Sequence, residues 1–197
     1  MALITKASLR RGYTSKAASI LEERAKNTPL NQEFDVFLSH SYADAQSSQP
    51  LDAEDLLGLK EKLETDYKLS VYVDWIVDRT LDRSSVDART AMILRTRMNH
   101  CGCLLYATSE QAGKSKWMPW ELGYFDGKKG RVAILPVVDR QMASYKGQEY
   151  LGLYPYVDEV APDGESKSIL WVNETPTKYV SLARWISGDN PTERKSS

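Results

Sequence analysis

CGCLLYATSEQAGKSKWMPWELGYFDGKKGRVAILPVV, residues 101–138, decides the fold. Its opening CGCLLYAT (101–108) is apolar at odd and even positions alike, and so is the closing RVAILPVV (131–138). A strand with one wet face alternates, whereas a strand without a polar face is buried on both sides, as in a parallel sheet between helices. Between the two, WMPWELGYFDG (117–127) reads as a short helix that tolerates Pro119 near its start. Gly127 and Gly130 bracket its end, and Ser115 stands where a helix cap is expected. Pro136 has no N–H to give, so ladder pairing is expected to stop there.

The same alternation extends outward. Upstream, FDVFLS (34–39) reads as a strand and HSYADAQSSQP (40–50) as a polar loop. A helix from about 52 to 66 follows, with Asp52 as cap and Leu56, Leu59 and Leu63 as its stripe. SVYVDW (70–75) is a second strand and IVDRTLDRSS (76–85) a charged loop. Ser85 caps a helix running to about Asn99, with Ala91, Leu94 and Met98 facing inward. Downstream, YLGLYPYVDEV (150–160) and SILWVN (168–173) read as edge strands, and TKYVSLARWI (177–186) as a closing helix. Strands and helices alternate at least four times, which predicts the α/β class: a parallel sheet covered on both faces. Ligands of such sheets bind beyond the carboxyl ends of the strands. The loops at 39–50, 75–85 and 108–118 are therefore where a site is expected.

Composition narrows the function. The chain has 197 residues, 42% hydrophobic and 27% charged, which suits one soluble domain with an appendage and excludes wholesale disorder. Eleven Gly and two Cys exclude collagen-like and disulfide-scaffold classes, and no apolar run approaches a membrane span. A net charge of −1 gives no reason to expect nucleic acid or a membrane as partner. The charge is uneven, however: residues 1–32 hold six bases and two acids, a net of +4, leaving −5 on the rest. KAASILEERAK (16–26) places Ala17, Ile20, Leu21 and Ala25 on one face of a basic amphipathic helix, ended by Thr28-Pro29. The acid-free first twenty residues resemble a transit peptide only faintly, and Arg10-Arg11 lacks the apolar stretch of an export signal. The chain thus divides into a basic extension (1–32), a main domain (33–187) and a frayed tail (188–197). Cys101 and Cys103 fall on one face of their strand and read as small core residues of a reducing compartment. With only His40 and His100 besides, no metal site is expected.

Several chemistries fail on spacing. QAGKS (111–115) imitates the end of a P-loop, but the first glycine of that motif falls on Thr108. No G-x-G-x-x-G follows a strand, and there is no G-x-S-x-G elbow. Ser39-His40-Ser41 could form a hydrolase triad only with an acid brought to His40 across space. Trp117 and Glu121, four apart, share a helical face. Glu121 is expected in the first turn, where the helix dipole favours a carboxylate. A carboxylate beside an indole at the mouth of the sheet suits a cationic or oxocarbenium-like species; the same spacing also fits a capping acid with core aromatics. Trp120 and Tyr124 read as core, and Asp78-Arg79 and Asp82-Arg83 as surface ion pairs of little energetic weight.

Three stretches, FDVFLSHSYAD (34–44), SVYVDWIVDRTLDRSSVD (70–87) and SKWMPWELGYFDGKKGRVAILPVV (115–138), resemble the successive boxes of bacterial Toll/interleukin-1 receptor (TIR) domains. The resemblance covers 33–138 closely and 139–187 loosely. It implies a flavodoxin-like parallel sheet with helices on both faces, here with an extra N-terminal helix and C-terminal strand and helix additions. Enzymatic members carry Ser-x-Trp-x-x-x-Glu and cleave NAD+ at the nicotinamide–ribose bond; Ser115, Trp117 and Glu121 match position for position. Glu121 is then the expected catalytic residue, with Ser115 and Trp117 at the substrate. By the same resemblance His40, Ser41 and Tyr42 line the nucleotide from the first loop, and Asp74 and Trp75 from the end of the second strand. Asp82, Arg83 and Ser84 lie in a loop that closes over substrate or meets a neighbouring subunit; here it lacks the acidic-then-Gly pattern frequent in the family.

Nicotinamide in NAD+ is already a cationic leaving group. It needs no general acid, metal or second cofactor, unlike the glycosides that take two carboxylates. NAD+ is therefore expected as substrate, with no cofactor. Water as acceptor gives ADP-ribose, and a group of the same molecule gives a cyclic isomer. The resemblance further implies a cytoplasmic, stand-alone TIR enzyme of the Thoeris type in anti-phage defence. It would self-associate through TIR–TIR contacts, and a downstream effector protein would sense its nucleotide product. Nothing after 187 is long enough for a sensor or pore domain, so sensing or killing is expected to fall to other proteins. Two other readings fit the residues: a non-catalytic TIR adaptor working through 76–85, and a nucleoside 2-deoxyribosyltransferase-like enzyme with a related fold and a single carboxylate.

Overall fold

A computed structural model of the chain describes residues 2–12, 28–41, 53–78, 87–108, 115, 117–142, 145 and 149–193, the side chain of Trp75 excepted. Within these, one sheet runs through the molecule. β2 (Phe34–Ser39), β3 (Val71–Tyr72), β4 (Cys101–Thr108), β5 (Val132–Val138) and β6 (Tyr156–Val160) are parallel, in the order β3-β2-β4-β5-β6. Counted along these five strands the order is 2-1-3-4-5, the flavodoxin-like winding, which reverses direction between β2 and β4. β7 (Ile169–Asn173), β8 (Lys178–Ser181) and β9 (Thr192–Glu193) continue it as an antiparallel meander.

Apolar residues on both faces of the central strands require cover on both sides, and the helices supply it. On one face α1 (Lys6–Gly12), α2 (Ala53–Thr65) and α6 (Leu182–Ile186) pack Leu9, Leu56, Leu59, Leu63, Leu182 and Trp185 against Val36, Leu38, Leu105 and Leu135. On the other, α4 (Ala88–Asn99) and α5 (Trp117–Lys129) pack Leu94, Met98, Trp117, Met118, Leu122 and Phe125 against Phe37, Leu104, Tyr106 and Ile134. A short helix, α3 (Asp74–Val77), follows β3 directly.

The frame at 101–138 is as the sequence implies; its surroundings differ in detail. The second strand ends at Tyr72, and Asp74 and Trp75 open α3 rather than closing a strand, because β3 pairs with β2 only at Val36 and Phe37. The cap of α4 is Asp87, whose carboxylate accepts from Thr90 N–H at 2.8 Å. That bond holds the Asp87 carboxyl below its ordinary range. Ser85 and Asp52, expected as caps, and the helix at 16–26 lie outside the described residues. Pro136 is indeed the last partner of β4, but the strand runs on, since β1 (Ile4–Thr5) pairs with Val137 and Val138. Residues 177–186 split into β8 and α6. Of the expected tail, Thr192 and Glu193 form β9, and the Arg131 guanidinium holds the carbonyls of Gly188 and Asp189.

The N-terminal stretch is built into the core over the part described. Leu3, Ile4 and Leu9 are buried, and Ala2 O accepts from Glu159 N–H on β6. Arg10 grips the buried Asp55 of α2 through two bonds of 2.8 and 3.1 Å. α1 crosses α2 at Gly58 so closely that a Cβ there would lie 2.9 Å from Leu9 O. Replacing a helical glycine by alanine ordinarily stabilises by about 1 kcal/mol. Here the sign reverses: Gly58→Ala is expected to destabilise by about 1–3 kcal/mol, the cost of overpacking against backbone, and urea unfolding of the two proteins measures it.

Cys101 and Cys103 do not share a face: Cys103 packs with the α2 layer and Cys101, immediately behind α4, with the α4–α5 layer. Burial pushes the Cys101 thiol up to about 12 and the Cys103 thiol well above its ordinary value. Only thiolates react, so a disulfide dye at pH 8 is expected to label neither until denaturant is added; a thiol titrating in the native protein would contradict this packing.

Candidate active site

The carboxyl ends of β2 and β4, where the winding reverses, meet the amino-terminal half of α5. Ser39 is the last residue of β2 and lies in register with Tyr106 of β4. Glu121, on α5, is 0% exposed. Ser39 Oγ donates to Glu121 Oε2 at 2.6 Å, the length of a charge-assisted bond to a carboxylate. Buried carboxylates are costly unless such donors meet them. Glu121 is not in the first turn as expected: α5 starts at Trp117, which puts Glu121 in the second turn, past where the dipole acts strongly. The described charge support comes from β2 instead.

Ser115 does what its spacing implies. Its Oγ accepts from Met118 N–H at 3.2 Å and caps α5. Trp117, one turn before Glu121, is buried and meets Trp120 edge-on at 5.4 Å between ring centroids. Trp120 and Tyr124, expected in the core, are half-buried; they stack on each other with the Arg95 guanidinium 5.5 and 5.8 Å from their rings.

His40 and Asp74 form the second pair. Both are almost wholly buried, with His40 Nε2 3.4 Å from Asp74 Oδ1 and His40 Nδ1 3.2 Å from Leu38 O. Asp74 is the acid across space that a triad at Ser39-His40-Ser41 would need. The Ser39 hydroxyl, however, is turned to Glu121, so the described bonds form two acid–partner pairs, not a nucleophile relay. Ser41 is buried beside them. Trp75 lies in α3, while Tyr42, Asp82, Arg83 and Ser84 lie outside the described residues.

The structure therefore brings Ser39, His40, Asp74 and Glu121 together around one dipeptide, with Ser115 and Trp117 at the start of the same helix. Sequence reasoning weighed Ser39 only as part of a triad with His40 and missed it as the partner of Glu121; its signal was a hydroxyl closing an otherwise apolar strand. It also missed Tyr106, a phenol inside a buried strand. Burial pushes the Tyr106 hydroxyl upward, and a hydrogen bond with Tyr150 and the nearby Glu121 charge add to this.

Two open clefts, of about 560 and 330 Å³, lie at the opposite, amino ends of the strands. Their cations are engaged within the fold: Lys129 Nζ with the carbonyls of Asn99 and Cys101, Arg131 with the 188–190 segment.

No family model matches the chain. Among curated proteins it is 48% identical over 171 residues, 86% of this chain and 84% of the other, to "Probable 3' cyclic ADP-D-ribose synthase ThsB'" of Bacillus cereus (strain MSX-D12). It is 27% identical over 101 residues, 51% of this chain and 24% of the other, to "Putative cyclic ADP-D-ribose synthase TIR2" of Cytobacillus dafuensis.

Proposed function

The chain belongs to the bacterial TIR family, of the Thoeris type, and from that premise we propose that it cleaves NAD+ between nicotinamide and ribose and closes the remainder into a cyclic ADP-ribose. The single observation carrying this reading is the buried Glu121 carboxylate, hydrogen-bonded at the switch point of a parallel sheet and set in Ser115-x-Trp117-x-x-x-Glu121.

The chemistry follows from the substrate's charge. The C1–N bond breaks with its electron pair going to nitrogen, which turns a pyridinium into neutral nicotinamide. Positive charge moves to the ribose as an oxocarbenium-like species. A preorganised carboxylate in a site that excludes water offsets that charge far better than it would in solution. Glu121 takes this role and accepts hydrogen bonds from ribose hydroxyls. A hydroxyl of the same molecule then bonds to the anomeric carbon and releases its proton, giving the cyclic product; water in its place gives ADP-ribose. The names of the relatives favour cyclisation. Trp117 and Ser41 bound the substrate, and the His40–Asp74 pair fixes the first loop against α3. No helix among the described residues is long and apolar enough to cross a membrane. The product passes to an effector protein that recognises it, and the active form is completed by self-association of TIR domains.

The test is substrate choice. The protein is incubated with NAD+ and, separately, with deoxynucleosides, and the products are separated by mass. Nicotinamide with a companion of ADP-ribose mass minus water is the expected result. Base exchange on deoxynucleosides, with NAD+ untouched, would move the assignment to a deoxyribosyltransferase. Inertness toward both would leave a binding module.

A further inference from the structure

We propose that Ser39 is a positioning residue for Glu121: its hydroxyl fixes the carboxylate's place. The inference rests on the NAD+-cleaving reading above. Glu121 stands on a helix whose neighbouring side chains Trp117, Met118, Leu122 and Phe125 are buried and apolar. A glutamate has three side-chain torsions, and a misaimed carboxylate offsets little of the charge it is meant to meet. Ser39 fixes the aim from outside the helix. Its Oγ lies 2.6 Å from Glu121 Oε2, and both residues are 0% exposed.

The donor is rigidly mounted. Serine has one side-chain torsion before its hydroxyl, and Ser39 is held in register against Tyr106 at the end of a strand flanked by β3 and β4. β2 thus supplies a fixed point from which α5's long side chain is aimed. The bond links positions 82 residues apart, one on the sheet and one on its covering helix. It also accounts for a hydroxyl at the end of FDVFLS, where the other residues facing the helices are apolar.

A misplacement of about 1 Å in a reacting group costs on the order of 10²-fold in rate. Ser39→Ala is therefore expected to lower kcat for nicotinamide release roughly 10- to 100-fold while KM changes little, because alanine removes an aim and not a substrate contact. Ser39→Thr keeps the hydroxyl and is expected to recover most of kcat. Ser39→Cys, close in size with a weaker donor, is expected to fall between them, and it serves should the extra methyl of threonine not fit. Melting temperatures of all three are measured alongside. A wild-type kcat in Ser39→Ala overturns the proposal. So does a raised KM at unchanged kcat, which would make Ser39 a substrate contact, and so does a loss that tracks melting temperature with no rescue by Thr or Cys. If the wild-type chain releases no nicotinamide, the parent reading falls with it; an active wild type beside an equally active Ser39→Ala removes this inference alone.

Discussion

Glu121→Gln is expected to slow nicotinamide release from NAD+ by at least about 10²–10³-fold, the cost of deleting one preorganised charge-stabilising group. The fold is expected to survive it. The glutamine amide is nearly isosteric, its carbonyl still accepts from Ser39 Oγ, and an amide in that apolar layer lacks the desolvation cost of a charge. Melting temperature should therefore move by no more than a few degrees, and NAD+ should still raise it. Stopped-time assays of nicotinamide, with thermal melts at increasing NAD+, separate the two quantities. A variant that binds and does not turn over is the signature of a charge acting on the transition state. One that does neither would place Glu121 in the structure and not in the reaction.

Arg97→Met is expected to give the largest loss of stability. Arg97 is 1% exposed, although its guanidinium carries a full charge. It forks onto both oxygens of Asp78 at 2.9 Å, donates to the carbonyls of Pro29 and Thr28, and lies over the Tyr72 ring at 5.4 Å. Tyr72 in turn donates to Asp78 at 2.8 Å. Methionine fills part of the volume, leaves the mostly buried Asp78 carboxylate without its cation and strips two carbonyls of a donor. Removing one partner of a buried pair costs about 3–5 kcal/mol. For a chain of this size that lowers the melting temperature by roughly 10 °C. Arg97→Lys is expected to recover only part, since a point charge cannot fork to two oxygens. The loss should also reach the site, because Asp78 immediately follows the helix that carries Asp74. Equal melting temperatures for wild type and Arg97→Met would contradict this description of the network.

Read as a surface pair with its sequence neighbour, Asp78 shows where the chain's local pattern misleads: its partner lies on α4, and nothing in DRTLDRSS points there. What was legible was what repeats locally. The two-faced apolar strands at 101–108 and 131–138 and the capped helix between them have short-range signatures, and these give the sheet, its cover and the switch point. The TIR-like boxes add the place of Glu121. Short elements carry no period: β1 has two residues and pairs off the main path, so no alternation could announce it. SVYVDW alternates like a strand throughout, yet an edge strand lasts only as long as its single neighbour pairs with it. KYVSLARWI holds both a strand and a helix, and the switch at Ser181 has no Gly or Pro to mark it. The site was half legible for the same reason. Ser115 as a cap is a local event, whereas Ser39 on Glu121 and Asp74 beside His40 are long-range contacts that only the assembled sheet creates.

Whether one buried carboxylate at this switch point breaks the nicotinamide–ribose bond is tested most directly by mass spectrometry of NAD+ incubated at high concentration with the wild-type chain beside Glu121→Gln. Free nicotinamide is expected from the wild type only, matched mole for mole by a companion of ADP-ribose mass minus water. Nicotinamide released at equal rates by both proteins, or by neither, would contradict it.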